Sequence, residues 1–278
     1  MSKPGSLTCV GTGIRLAAHL TTEARAHLTG AEQLLHLMGD PLSSEWMLEL
    51  NPSAESLGQF YERSKDRRIT YRQIADEIVR RVRTGVDVCV AHYGHPGVFV
   101  QPSHLAIAGA RAEGYAARML PGISAEDCLF ADLDLDPGHR GCQSFEATNF
   151  LVFRRRFDPT VLLVLWQVGS IGRLDSDFGD LSQPLGVLGS VLESNYGADH
   201  EAILYEAGRY PGAEGRAERV RLGELGQATV STITTLVIPP LPDRSPDQEM
   251  AERLGMAAAE LAPIDTSRWK GAQSPACS

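Results

Sequence analysis

The chain has 278 residues, of which 43% are hydrophobic and 22% are charged, a composition typical of one large globular domain or two smaller ones. Its net charge of −9 argues against a nucleic-acid-binding protein. No apolar run approaches the roughly 18–20 residues of a membrane span, and the N-terminus lacks the apolar region of a signal peptide. We therefore expect a cytoplasmic protein without a membrane partner.

The cysteines and histidines indicate a reduced protein without a metal. The five cysteines are widely spaced and include no Cys-x-x-Cys pair, so we expect free thiols in a reducing compartment. They are Cys9, Cys89, Cys128, Cys142 and Cys277. His92 and His95 are close in the sequence, but no third ligand of suitable spacing accompanies them. The sequence therefore predicts no metal site.

Apolar runs and amphipathic segments alternate over the first 120 residues. The pattern predicts strands at 6–11, 32–38, 86–91 and 115–120, and helices at 21–30, 66–84 and 102–114. Ile74, Ile78 and Val82 recur every four residues in the longest helix, and Ser103 is expected to cap the last one. Such alternation predicts an α/β fold with a mostly parallel sheet and helices on both faces.

A second α/β unit is expected beyond residues 121–122. Its predicted elements are strands at 161–169, 201–208 and 231–240 and a helix at 183–197, with RFDPTVL and GRYPGAEGRAERV as loops. The expected domains are therefore 1–120 and 121–240. A tail follows at 241–278, with an amphipathic helix at 248–262 and a flexible end.

Three loops that follow predicted strands carry most of the motif information. They are GTGIRLA from residue 11, HYGHPGVF from residue 92 and LPGISAED from residue 120. Because parallel strands bind ligands outside their carboxyl ends, these loops are the expected ligand edge. GTGIRLA lacks a third glycine in register, so a tight turn explains it equally well. HYGHPGVF fits a ligand loop or a structural turn, and LPGISAED reads by itself as a helix start capped by Ser124 and Asp127.

A fourth segment, YERSKDRRITY at 61–71, joins basic and phenolic side chains. Arg67 and Tyr71 are four positions apart on the predicted helix and share a face, and Tyr61 precedes the helix. The segment is therefore either a solvated basic turn or a Tyr–Arg–Tyr catalytic cluster.

These motifs, in this order, resemble the tetrapyrrole methylase superfamily of S-adenosylmethionine-dependent class III methyltransferases. The resemblance rests on GTGIRLAAHLT, YGHPGVF, LPGISAED and TITTLVIPP, and it covers residues 5–240. Within the superfamily the sequence is most similar to the borosin peptide α-N-methyltransferases. That narrower resemblance rests on YGHPGVFVQPSH, on EGYAARMLPGISAEDCLFADLDLDP and on the Tyr-x5-Arg-x3-Tyr spacing of 61–71.

The resemblance implies two α/β domains with the methyl donor, S-adenosylmethionine, in the cleft between them and S-adenosylhomocysteine as the product. It places the donor site on Tyr93, His95, Val98, Ser124, Ala125, Gln167, Ala207, Thr234 and Thr235. It places the catalytic cluster on Tyr61, Arg67, Tyr71 and the nearby Tyr93.

Methylation of an amide requires groups of the kind found in this cluster. A backbone amide nitrogen is a poor nucleophile because its lone pair is delocalised into the carbonyl. Its proton must leave, and the resulting imidate must be stabilised. We expect Tyr71 to be the base, Arg67 to hold the imidate charge and Tyr61 to orient it. An exchange of roles between Tyr61 and Tyr71 fits the sequence equally well.

The implied substrate is a backbone amide of a separate precursor peptide. Only 38 residues follow Pro240, and the last of them are polar and small, so the chain resembles a stand-alone, split enzyme. The resemblance also implies a homodimer, with two precursors bound. The helix at 248–262 would pack on the enzyme, a partner subunit or the precursor. Alternatives are methylation of the chain's own tail, a methylase of corrinoid or siroheme precursors, and a non-catalytic peptide-binding protein.

Overall fold

A computed structural model describes residues 4–177 and 179–257 of the chain. The contacts between its residues divide the chain into two compact units. The first unit holds the chain up to Cys128 together with Arg173–Gly179 and Ala207–Arg216. The second holds Leu129–Gly172, Asp180–Glu206 and the chain from Ala217 onward. The units therefore differ from the expected division after residue 120, since two later segments return to the first unit. The predicted flexible end at 263–278, with Cys277, lies outside the described residues.

The first unit contains a five-stranded parallel sheet. Its elements are β1 (Ser6–Gly11), α1 (Thr22–Gly30), β2 (Gln33–Leu37), α2 (Pro41–Leu50), β3 (Glu55–Ser56), α3 (Arg67–Val82), β4 (Asp87–His92), α4 (Gln101–Ala112) and β5 (Ala116–Leu120). The strand order is β3-β2-β4-β1-β5, and every described pair is parallel. The predicted α/β class is confirmed, and so is the parallel sheet in this part of the chain.

Two apolar cores cover the faces of this sheet. Successive residues of a strand point to opposite faces, so Val90 packs in one core and its neighbour Cys89 in the other. The first core contains Ile74 and Ile78 of α3. The second contains Leu28 of α1. The predicted spacing of apolar residues in α3 is confirmed by this burial.

Side chains cap the starts of α1, α2 and α3, but not the start of α4. Thr21 caps α1 by accepting a hydrogen bond from Ala24 N at 3.1 Å, and Asp66 caps α3 by accepting from Arg68 N at 2.8 Å. The prediction that Ser103 caps α4 is wrong. The helix begins two residues earlier because Pro102 suits its first turn, where no N–H donor is needed. The Ser103 hydroxyl instead donates to the backbone oxygen of Val100 at 2.9 Å.

The second unit contains a mixed sheet. Two elements cross the sequence boundaries between the units, α5 (Ala125–Asp132) and β9 (Arg216–Arg221). The other elements are α6 (Pro137–Arg140), β6 (Cys142–Glu146), α7 (Ala147–Val152), β7 (Leu162–Trp166), α8 (Ser182–Tyr196), β8 (Glu201–Glu206), β10 (Thr235–Ile238) and α9 (Gln248–Arg253). The strand order is β6-β7-β10-β8-β9. β10 runs antiparallel to β7 and β8, while β6 is parallel to β7.

Several predicted elements of this part of the chain differ from the structure, among them the following three. The expected loop GRYPGAEGRAERV contains the start of β9, which the sequence hid because its charged, exposed residues lack an apolar face. The last strand is shorter than 231–240 and spans only Thr235–Ile238. The helix expected at 248–262 is observed over Gln248–Arg253, and the chain beyond residue 257 lies outside the described part.

Neither a membrane span nor a metal cluster is found in the described part of the chain. None of its helices combines the length and apolarity that crossing a bilayer requires. No three His, Cys, Asp or Glu side chains within residues 4–177 and 179–257 are grouped so that they could hold a metal ion.

Candidate functional site

The loops after β1, β4 and β5 meet at one edge of the first sheet. Gly13 N donates to Gly94 O at 3.2 Å, and Gly94 N donates back to Gly13 O at 3.0 Å. A Cβ atom on Gly11 would lie 2.3 Å from Gly94 O and 3.0 Å from the Cα of Gly122. The glycines of the three motifs therefore allow the loops to pack closely against one another.

This edge is a topological switch point. The chain leaves β1 through α1 towards β2, but it leaves the neighbouring strand β4 through α4 towards β5. The two helices pack on opposite faces of the sheet, because α1 belongs to one apolar core and α4 to the other. In open α/β sheets the crevice at such a point is the usual ligand site.

The loop after β4 presents both buried and exposed groups. Gly97 N donates to His95 Nδ1 at 2.9 Å, and Val98 N donates to His95 O at 3.2 Å, so the loop is closed on itself. Val98 is 40% exposed and Phe99 is 46% exposed. Of the predicted donor-binding residues, Val98 therefore offers apolar surface, while the Nδ1 atom of His95 is already engaged.

The loop after β5 ends in a capping box at the start of α5. Ser124 N donates to Asp127 Oδ2 at 2.7 Å, and Asp127 N donates to Ser124 Oγ at 3.2 Å. This reciprocal arrangement confirms the capping role predicted for the two residues. Ala125 is the first residue of the helix.

Tyr61, Arg67 and Tyr71 are brought together at the start of α3. The rings of Tyr61 and Tyr71 meet edge to face, with centroids 6.5 Å apart and planes at 72°. Arg67 opens the helix and donates twice to the segment Arg173–Gly179 of the same unit. Its backbone N–H donates to Leu174 O, and its Nη2 donates to Arg173 O, each at 2.8 Å.

The environment of Tyr61 favours its neutral phenol. Burial is the main cause and the neighbouring Tyr71 adds to it, so that the pKa of Tyr61 is raised to about 12 despite the opposing effect of Arg67. Because 40% of the residue is exposed, water screens part of the effect of burial. Tyr61 is therefore suited to donate a hydrogen bond at neutral pH.

Tyr93 lies beside two residues that the sequence did not single out. Burial raises its pKa to about 12, although the nearby guanidinium of Arg209 acts in the opposite direction. The Cζ atom of Arg209 lies 5.8 Å from the ring centroid of Tyr93. Arg209 also pairs with Asp40, with Nη2 2.8 Å from Oδ2. Asp40 followed by proline is a recognisable helix start that would have predicted α2.

The remaining predicted donor-binding residues lie in different parts of the chain. Ala207 belongs to the segment Ala207–Arg216 of the first unit, whereas Gln167, Thr234 and Thr235 belong to the second unit. Gln167 has a left-handed backbone with φ of 59°. Thr234 is fully buried, accepts from Ser231 N at 2.7 Å and donates to Glu206 Oε1, so its hydroxyl is engaged within the unit.

Several buried polar atoms at the carboxyl edge of the first sheet lack partners. Both ring nitrogens of His92, the last residue of β4, are buried without a hydrogen bond to any described residue. The same holds for Nε of Arg15 in the loop after β1. Buried polar groups are normally satisfied, but protein atoms cover these nitrogens on all sides, so they are not open to a ligand in this structure.

Comparison with protein families gives a match over most of the chain. The model of the tetrapyrrole (corrin/porphyrin) methylases matches residues 6–174.

Curated relatives are methyltransferases joined to peptide precursors. A methyltransferase/ribosomally synthesized cyclic peptide gymnopeptides precursor of Gymnopus fusipes is 41% identical over 264 residues, which are 93% of this chain and 63% of the relative. The omphalotin A precursor of Omphalotus olearius is 39% identical, covering 96% and 65%. A type I borosin precursor of Serendipita vermifera subsp. bescii is 38% identical, covering 97% and 68%. The chain thus spans about two thirds or less of the length of these relatives.

Solved structures share the fold at low sequence identity. The uroporphyrin-III-C-methyltransferase of Thermus thermophilus superposes with a TM-score of 0.59 at 20% identity, covering 87% of this chain and 98% of that chain. A diphthine synthase superposes with a TM-score of 0.58 at 15% identity, covering 93% and 100%. The family model matches residues 6–174, and the curated relatives are about 40% identical over most of this chain. The chain therefore belongs to the tetrapyrrole methylase family and is homologous to the borosin methyltransferase precursors.

Proposed function

We propose that the protein is an S-adenosylmethionine-dependent methyltransferase that methylates backbone amides of a peptide. The observation that carries the proposal is the Tyr61–Arg67–Tyr71 cluster at the start of α3, in a chain about 40% identical to named methyltransferase/cyclic peptide precursors. A phenol beside a guanidinium is suited to this reaction, because the phenol can remove the amide proton and the guanidinium can stabilise the negative charge that results.

The donor is proposed to bind at the carboxyl edge of the first sheet. Support comes from the switch point between β1 and β4 and from the exposed apolar surface of Val98 in the loop after β4. A fold neighbour, the uroporphyrin-III C-methyltransferase of Thermus thermophilus, is described in complex with S-adenosylhomocysteine (TM-score 0.57, 19% identity). Tyr93, His95, Val98, Ser124, Ala125 and Ala207 are the first-unit residues proposed to form the site, and a role for Gln167, Thr234 and Thr235 stays a prediction.

Each proposed catalytic residue has a separate role in activating the amide. The bound donor supplies an electrophilic methyl group on a sulfonium. Tyr71, as the general base, would accept the amide proton on its oxygen, which leaves the electron pair on nitrogen to take the methyl group. A guanidinium has five N–H donors, so the bond from Arg67 to Arg173 O leaves others for the amide oxygen. Because its pKa is raised, Tyr61 would donate a hydrogen bond to that oxygen.

We further propose that the peptide is supplied in trans by a separate precursor and that the enzyme is a homodimer in the cytoplasm. The curated relatives carry methyltransferase and precursor in one protein by name, so this arrangement needs a direct test. Light scattering of the purified protein measures the oligomeric state.

Mass spectrometry tests the activity and the arrangement together. The purified chain would be incubated with S-adenosylmethionine, alone and with the part of the Gymnopus fusipes precursor beyond the aligned 264 residues. We expect successive single-methyl gains, located on backbone amides by fragmentation, on the added peptide. Gains on the chain itself would replace the trans arrangement by methylation in cis. Absence of peptide methylation, together with turnover of a tetrapyrrole, would replace the proposed function by the corrinoid or siroheme alternative.

A further inference from the structure

Arg209 connects three separate parts of the first unit. Its Nη2 lies 2.8 Å from Oδ2 of Asp40 at the start of α2. Its backbone oxygen accepts from Leu16 N, in the loop after β1, at 2.8 Å. Its guanidinium lies over the ring of Tyr93, in the loop after β4. All three partners therefore belong to loops at the carboxyl edge of the sheet, after β2, β1 and β4 respectively.

The contact with Tyr93 has the geometry of a cation–π interaction. The Cζ atom of Arg209 is 5.8 Å from the Tyr93 centroid and 5.7 Å from that of Tyr210, within the roughly 6 Å over which a guanidinium is attracted to a ring face. The side chains of Arg209 and Asp40 are only 29% and 15% exposed. Their pairing is therefore less screened by water than a surface ion pair.

Asp40 is itself held in place and charged. Its Oδ1 accepts from Ser43 N at 2.9 Å and its Oδ2 accepts from Ser43 Oγ at 2.7 Å, which caps α2. Burial raises the pKa of Asp40, but hydrogen bonds from Ser43, Tyr210 and Arg209 outweigh it and leave the pKa below its ordinary value. The carboxylate is therefore an anionic, fixed anchor for Arg209 at neutral pH.

We propose that Arg209 is a positioning residue for Tyr93, and that Asp40 orients Arg209 for this role. The guanidinium holds the phenol at the edge where the donor is proposed to bind, and the same anchor keeps the segment that begins at Ala207 against the loop after β1. The inference rests on the proposed function for its effect on methyl transfer, but its effect on Tyr93 is a property of the protein without ligand.

Two measurements on the full chain separate the inference from the proposed function. Hydrogen exchange of the ligand-free protein, followed by mass spectrometry, reports on peptides that contain Tyr93 and on those covering 207–216. Calorimetric titration with S-adenosylhomocysteine reports on the donor site. The variants are Arg209→Met, which removes the charge, Arg209→Lys, which keeps it, and Asp40→Asn, which keeps a helix cap but removes the anion. Arg221→Met is the matched control, because Arg221 is 58% exposed and pairs with Glu224 in the second unit.

In Arg209→Met we expect faster exchange both around Tyr93 and in 207–216, and affinity for S-adenosylhomocysteine about tenfold weaker, as expected for the loss of a partly buried cation–π contact. Arg209→Lys should recover part of both effects, and Asp40→Asn should show a smaller version of each. Unchanged exchange around Tyr93 in Arg209→Met would overturn the inference whether or not the protein binds the donor. Wild-type protein that binds no donor, with the exchange effect present, would count against the proposed function alone.

Discussion

The phenol rings of Tyr61 and Tyr71 meet edge to face, 6.5 Å apart, at the start of α3. The two rings are chemically alike, but their surroundings give Tyr61 a raised pKa, chiefly through burial. The raised pKa supports the hydrogen-bond-donor role proposed for Tyr61, and the assignment of the two roles can be tested.

Replacing each tyrosine by phenylalanine should separate the two roles. Tyr71→Phe removes the proposed base, so we expect the methylation rate to fall by about 100-fold or more. Tyr61→Phe removes a hydrogen-bond donor, so a fall of about tenfold is expected. Single-turnover rates measure both, with affinity for S-adenosylhomocysteine as the control that should stay within about twofold. A larger loss in Tyr61→Phe than in Tyr71→Phe would reverse the assignment.

Arg67 is expected to act both on the amide and on the chain segment that it binds. Arg67→Met should lower the methylation rate by about 100-fold, because a preorganised cation is lost, and should expose residues 173–177 to proteolysis, because the bond to Arg173 O is lost. The exposed Arg63, just upstream of α3, provides the matched control Arg63→Met. A variant that is cleaved faster but methylates at the full rate would limit Arg67 to a structural role.

Because the glycine loops pack closely, replacing Gly11 by alanine should lower the free energy of unfolding. In Gly11→Ala the new Cβ would lie 2.3 Å from Gly94 O, so the backbone of two loops must shift at a cost of about 2 kcal/mol in the free energy of unfolding. Gly30→Ala, where nothing lies within 4 Å of the new atom, should change that free energy by less than about 1 kcal/mol, in the stabilising direction. Urea denaturation measures both, and equal values would contradict the close approach.

His92 should make the stability of the protein fall in acid. Burial lowers its pKa to about 3, well below the value near 6.5 of the unfolded chain. Between these values the unfolded chain binds more protons, so the free energy of unfolding decreases as the pH falls through the window. His36, whose pKa is also lowered by burial, acts in the same direction.

Replacing His92 by an apolar residue isolates its contribution to the loss of stability in acid. In His92→Leu we expect the loss of stability between pH 7 and pH 5 to be smaller than in the wild type by about 2 kcal/mol. Denaturant titrations at the two pH values measure the difference. The exposed His104 of α4 gives the control His104→Leu, which separates the effect of the buried ring from the removal of a surface histidine. An unchanged dependence in His92→Leu would mean that water reaches the ring in the folded protein.

Much of the fold was predictable because local rules decide it. The apolar period of α3, the caps at Thr21 and Asp66 and the capping box of Ser124 and Asp127 all depend on residues within a few positions of one another. The alternation of strands and helices similarly predicted a parallel sheet, and a parallel sheet brings the loops after its strands to one edge.

Only the tertiary structure decided which residues from distant parts of the chain share that edge. Arg209 and Asp40 are 169 positions apart, and no local pattern links them, since each is one charged residue among many. The return of Ala207–Arg216 to the first unit, the mutual packing of Gly11, Gly94 and Gly122 and the unpartnered ring of His92 likewise arise from contacts between segments. By itself the sequence determined the longer apolar strands, the amphipathic helices and the order of the motifs, because these follow from neighbouring residues. The environment of each candidate side chain, and with it the chemistry that each can perform, was decided by long-range packing.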